Sequence, residues 1–266
     1  MAEWLRVGFV HGVMNTDNMS VLGLTIDYGP YSFIDDYDPG FTPNTTDLPG
    51  RRYAFGRQPS IAHWNLGCFA GAIAPLLPDT KKLSSELDAY TDIFIREYHA
   101  MMGNKLGLDQ VAPDDIHLIN EFEKILSAIK PDMTIFYQRL TELHADVENA
   151  GDTLIHFKES FYREPRQSES DTLDSLIKTY ITRIKKNTCT REESLTRMRK
   201  SNPRIILRNY LLHQAIEDLE KGDNSLFLKL QHAMKDPYSN NFDDFFARRP
   251  DWATQKAGCS MLSCSS

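Results

Sequence analysis

The chain has no glycine-rich phosphate loop. G-x-x-x-x-G-K-[ST] and G-x-G-x-x-G are both absent, which excludes two common ways of cradling a nucleotide's phosphates. Cysteine is scarce. Cys68, Cys189, Cys259 and Cys264 are scattered, with no C-x-x-C pair and no histidine at zinc spacing, which argues against a zinc site and for a reducing compartment. No apolar stretch approaches the roughly 18 residues that a membrane-spanning helix needs. The first residues have neither the apolar core of a secretory signal nor the Arg/Ser-rich look of a transit peptide. No membrane partner and no secretion are therefore expected, and the sequons at Asn18 and Asn44 read as chance. A net charge of −7 leaves no general attraction for nucleic acid or anionic lipid. No serine sits in a nucleophile elbow, no Cys/His pair stands out, and no repeat recurs at a solenoid period.

What is present is mostly helical pattern. The 266 residues, 41% hydrophobic and 25% charged, can bury one large core or two modest ones. Glu3 to Gly12 reads as the end of an amphipathic helix stopped by its glycine. Val21 to Ile26 is short and apolar enough to be a buried strand, which Tyr31 to Ile34 can join after the Gly29-Pro30 turn. From Asp35 to Gly56 turn residues are too dense for a regular element. Asp35, Asp36 and Asp38 lack the spacing of a calcium loop, so a solvated loop is expected there rather than a second metal site. Pro59 then opens a helix whose apolar residues Ile61, Trp64, Leu66, Phe69, Ile73 and Leu76 predict burial out to Pro78. Further helices are predicted over 80–105, 114–130, 134–146, 171–186, 191–200, 203–221 and 225–234. The expected fold class is α+β, predominantly α-helical, with a short β element near the N-terminus. It has the shape of a protein-kinase-like C-lobe whose N-lobe is absent. Residues 1–57 form the catalytic-loop and metal-binding segment, 58–250 the helical C-lobe and 251–266 a Cys-containing tail.

The chemistry concentrates at Asp17-Asn18 and Asp27, on either side of Val21–Ile26. A carboxylate beside an amide can take a proton from an attacking hydroxyl while the amide oxygen holds a divalent cation. Asp27, opening a Gly turn, can bring a second carboxylate to a cation that bridges nucleotide phosphates. Taken singly, each is also an ordinary turn residue, and a turn–strand–turn reading remains open at this point. His11 is expected to brace the loop rather than to react.

These residues lie in runs that resemble the selenoprotein O family. His11-Gly12-Val13-Met14-Asn15-Thr16-Asp17-Asn18-Met19-Ser20, continued by Gly23 to Pro30, resembles its active-site segment. Tyr37 to Phe41, Gly50-Arg51-Arg52-Tyr53, Gln58-Pro59, Trp64-Asn65-Leu66, Asn202-Pro203-Arg204, Leu207 to Tyr210 and the tail from Leu262 also fit. The resemblance implies a kinase-like fold that transfers AMP from ATP to Ser, Thr or Tyr hydroxyls of partner proteins. It implies Asp17 as catalytic base, Asn18 and Asp27 as ligands of Mg²⁺ (or Mn²⁺), and Asp27 beside the nucleotide phosphates. Cys264 matches the place where animal members carry selenocysteine, with Cys259 as a thiol it could exchange with. Family members carry a nucleotide-binding lobe ahead of this segment, with the cations that contact phosphate. The residues before Asp17 are too few to build it, so impaired transfer by this chain is expected. The resemblance implies a cytoplasmic location for a bacterial member and a mitochondrial one for an animal member. Two other readings are a non-catalytic helical module with redox-active tail thiols, and a kinase-like phosphotransferase.

Overall fold

The structure is a computed structural model and describes residues 1–146, 152–256 and 259. It is predominantly helical with one small sheet. Helix α1 (Ala2–Val7) ends at Gly8, whose φ of 78° puts it in the left-handed region that glycine adopts without penalty. The chain then extends, so the predicted helix to Gly12 is cut short and Phe9–Val10 becomes strand β1. Its antiparallel partner is β2 (Ser32–Phe33), in the register Phe9 to Phe33 and Val10 to Ser32.

Val21–Ile26 is not a buried strand. Val21 is 75% and Leu22 80% exposed, and β2 pairs with β1 instead. The reason is local: Ser20 Oγ accepts from the Leu22 amide at 3.1 Å, its carbonyl accepts from Gly23 at 3.1 Å, and Gly23 turns at φ 72°. A side-chain oxygen competing for backbone donors ends extended structure before it starts.

The helical region begins with α2 (Gln58–Ile73) and α3 (Lys81–Lys105). Then follow α4 (Pro113–Ile129), α5 (Met133–Ala145), α6 (Thr153–Phe157), α7 (Gln167–Ile184) and α8 (Arg191–Ser201). Their ends obey local chemistry. Pro113 starts α4, Asp132 caps α5 by accepting from the Ile135 amide at 3.0 Å, and Thr190 with Glu193 forms a reciprocal box at the start of α8. Phe122, Phe136, Leu140, Leu173, Tyr180 and Met198, at most 1% exposed, centre the main core among α3 to α8. A second cluster joins Ile205, Tyr210 and Leu211 to Leu230, Ala233, Phe245 and Cys259 around α9 (Asn209–Glu220) and α10 (Ser225–Ala233). None of the described helices is long and apolar enough to cross a membrane.

Helix α9 starts six residues later than the predicted 203. Arg204 and Ile205 donate their amides to Pro237 O at 2.8 and 3.0 Å, and Arg208 runs inward. Its guanidinium, 2% exposed, grips Asp132 with two bonds of 2.8 and 3.0 Å and also bonds Asp35. Arg249 reaches Asp35 and, at 3.0 Å, Asp36. The expected solvated aspartate loop is therefore corrected: Asp35 is an internal anion, and Asp38 pairs with Lys130 at 2.8 Å. Burial pushes the Asp35 carboxyl above its ordinary range, opposed by Arg208 and Arg249.

Cys259 is 2% exposed, and burial raises its thiol pKa, so it is not an open exchange partner; Cys264 lies outside the described residues. Removing one member of a buried ion pair strands the other. Arg208→Met is expected to lower unfolding stability by about 3–5 kcal/mol in urea titrations. Lys124→Met, at the exposed surface pair with Glu121, is expected to leave the urea midpoint nearly unchanged.

Candidate active site

The stretch from Phe9 to Asn15 carries the site, and side-chain amides hold it. Only its first two residues have a strand partner, so most of its backbone groups need other company. Gln58, fully buried, accepts from the His11 amide at 3.0 Å and donates to Phe9 O at 2.9 Å. Asn44 donates to Gly12 O at 3.3 Å, Asn18 to Val13 O at 3.0 Å and Asn65 to Met14 O at 3.0 Å. Tyr53 donates its hydroxyl to Asn15 Oδ1. Gly12 itself is irreplaceable on two counts. Its φ is 82°, and a β-carbon there would stand 2.7 Å from Pro30 O.

The loop from Asn18 to Asp27 is tied to this stretch at both ends. Asn18 is fixed through Val13. At the other end His11, 1% exposed, donates Nε2–H to Ile26 O at 2.7 Å while its Nδ1 accepts from the Val13 amide at 3.4 Å. Trp4 stacks on the His11 ring at 5.7 Å and donates to Thr25 Oγ1 at 3.1 Å. His11 is a brace, as expected.

Against this bracing, the three sequence-predicted site residues are conspicuous for what they leave open. Asp17 sits in a 3₁₀ turn (Thr16–Asn18), exposed, its carboxylate without a partner among the described residues. Asn18 uses its amide N–H on Val13, and among the described residues its Oδ1 has no partner. Asp27 is exposed and left-handed at φ 54°, with Gly29 donating to its backbone oxygen at 2.8 Å rather than to its carboxylate. The structure therefore anchors Asn18 and the residue before Asp27 to the same three residues, His11 to Val13. Among the described residues no cluster of three or more His, Cys, Asp or Glu could hold a metal. A neutral amide oxygen and a carboxylate are nevertheless a fitting pair for Mg²⁺, which commonly keeps several waters and takes the rest of its ligands from phosphates.

Gln58, Asn44 and Asn65 carry no predicted role. The signal for two of them is the spacing Gln58, Ala62, Asn65, one face of α2 that is polar or small and buried. None of the six residues of the predicted apolar stripe is buried: Trp64, Phe69 and Leu76 are 50%, 46% and 81% exposed, and Ile61, Leu66 and Ile73 are half-buried. Replacing Gln58 by Leu leaves a buried carbonyl and a buried N–H unpaired, at about 1–3 kcal/mol each. Hydrogen exchange at residues 9–15 is expected to accelerate in that variant ahead of the α4–α7 core.

The profile of the family described as "Protein adenylyltransferase SelO" matches residues 1–235. A protein nucleotidyltransferase YdiU of Cytophaga hutchinsonii is 58% identical over 266 residues, covering all of this chain and 51% of the relative. Those of Xanthomonas axonopodis pv. citri and Aromatoleum aromaticum are 45% and 44% identical over 269 residues, again covering all of this chain and 51% of theirs. The chain thus spans about half the length of the curated relatives it matches. With the matched profile running through residues 9–27 and the helices behind them, the chain belongs to the SelO family.

Proposed function

We propose that this chain carries the catalytic half of a protein adenylyltransferase with a kinase-like C-lobe, transferring AMP from ATP to Ser, Thr or Tyr hydroxyls of proteins. The observation that carries this reading is the set of three open side chains on an otherwise braced loop. Asp17 takes the proton from the attacking hydroxyl. The hydroxyl's oxygen then bonds to the α-phosphorus of ATP, the bond from that phosphorus to the oxygen bridging it to the β-phosphate breaks, and pyrophosphate leaves. Asn18 Oδ1 and the Asp27 carboxylate would hold Mg²⁺, which supplies charge neutralisation on the phosphates. His11 and Val13 keep the two ligands on one support, so little reorganisation accompanies the reaction. The relatives' names, protein nucleotidyltransferase, agree with this class of reaction.

The cations that contact phosphate are assigned to the part of the relatives' length that this chain does not span. Each missing charge-assisted contact weakens binding by about 1.5–3 kcal/mol. The chain by itself is therefore expected to bind MgATP weakly and transfer little AMP. ATP labelled at the α-phosphate should label acceptor protein slightly above background. Asp17→Asn, Asn18→Ala and Asp27→Ala should each remove that signal, and γ-labelled ATP should give none. Transfer of the γ label would replace the proposal with a phosphotransferase. Label that survives Asp17→Asn would remove the base from its role, and robust Asp17-dependent turnover would overturn the predicted impairment.

A further inference from the structure

Arg52 presents a guanidinium fork that no described residue uses. Its neighbours spend their guanidinium groups on the backbone: Arg51 donates to Gly40 O at 3.1 Å, and Arg57 to Gly50 O at 2.9 Å and Arg51 O at 3.3 Å. Asp47 is equally committed, accepting from the amides of Arg52 and Tyr53 at 2.8 and 2.9 Å and from Thr42 Oγ1 at 3.1 Å. These bonds make residues 47–57 a rigid turn. From it the exposed Arg52 side chain sits over Trp64, its guanidinium carbon 4.6 Å from the ring centroid, and 5.7 Å from the ring of Tyr53. Among the described residues it has no carboxylate and no hydrogen-bond acceptor.

A guanidinium held over aromatic rings by cation–π attraction can keep its N–H donors free, and its planar fork matches a carboxylate. Both rings belong to residues bound up with the catalytic loop. Tyr53 bonds Asn15, and Asn65, next to Trp64, bonds Met14. Asn15 stands two residues before Asp17, so the fork borders the segment that carries the proposed base.

We propose that Arg52, held over Trp64 beside the catalytic loop, recognises an Asp or Glu side chain flanking the acceptor hydroxyl of the protein substrate. This rests on the adenylyltransferase reading and names the chemistry of its acceptor: an acidic polypeptide segment.

Fluorescence anisotropy with labelled peptides tests it without requiring transfer. The probes are a peptide with one Ser flanked by Glu and the same peptide with Gln. The chain is expected to bind the Glu peptide about fivefold tighter at low salt, the scale of one charge-assisted contact at an exposed site. Arg52→Ala should erase the preference, Arg52→Lys should keep part of it, and MgATP affinity by calorimetry should stay unchanged in both. Equal binding of the two peptides would overturn the inference. So would a preference that survives Arg52→Ala, or a loss of MgATP affinity in its place, which would make the fork a phosphate contact. Asp17→Asn should leave the peptide preference intact, so failure of the transfer chemistry and failure of this subsite are read separately.

Discussion

Four side-chain amides hold the loop on which the site stands. A catalytic loop must be irregular to aim its side chains, yet buried irregular backbone leaves donors and acceptors unpaired. Here Gln58, Asn44, Asn18 and Asn65 meet the polar groups of residues 9–14 in place of a sheet. The amide suits this work because it offers donor and acceptor together and carries no charge to desolvate. Asn18 serves twice, its nitrogen bracing the loop and its oxygen left outward. A substitution there that kept the proposed metal-binding oxygen but lost the nitrogen, as in Asn18→Asp, would loosen the support of the group it preserved.

The second constraint is the internal ion cluster. Asp132 accepts from Arg208 twice, from Tyr162 at 2.8 Å and from the Ile135 amide, so a buried carboxylate caps a helix and holds two distant segments. Asp35, two residues beyond β2, shares the same guanidinium. The core around α9 and α10 is thereby linked to the strand pair that leads into the candidate site. A hydrophobic contact in this place would be more forgiving. The ionic one has a single satisfied arrangement, because any shift leaves a charge unpaired in the interior.

Much of this was legible in the chain. Helices α3, α4, α5, α8 and α10 fall close to their predicted spans, because Pro113, Asp132 and the Thr190–Glu193 box are strong local signals. Asp17, Asn18 and Asp27 stood out in the chain as an acid, an amide and a second acid, and their proposed roles rest on the family resemblance together with the open side chains of Asp17 and Asp27. What misled was hydrophobicity used as a proxy for burial. Val21–Ile26 and the Trp64–Leu76 face are apolar and exposed, whereas Gln58, Asn65 and Arg208 are polar and buried. Hydrophobic periodicity cannot see which polar groups will find partners across tens of residues, and both the amide support and the ion cluster are built from such long-range bonds.

The account turns on Asn18 and Asp27 sharing one divalent ion in the presence of nucleotide. Electron paramagnetic resonance of Mn²⁺ titrated into the chain with ATP measures this directly. One nucleotide-dependent Mn²⁺ site per chain is predicted, lost in Asn18→Leu and in Asp27→Asn but retained in Asp17→Asn. A Mn²⁺ signal indifferent to both ligand substitutions would contradict it.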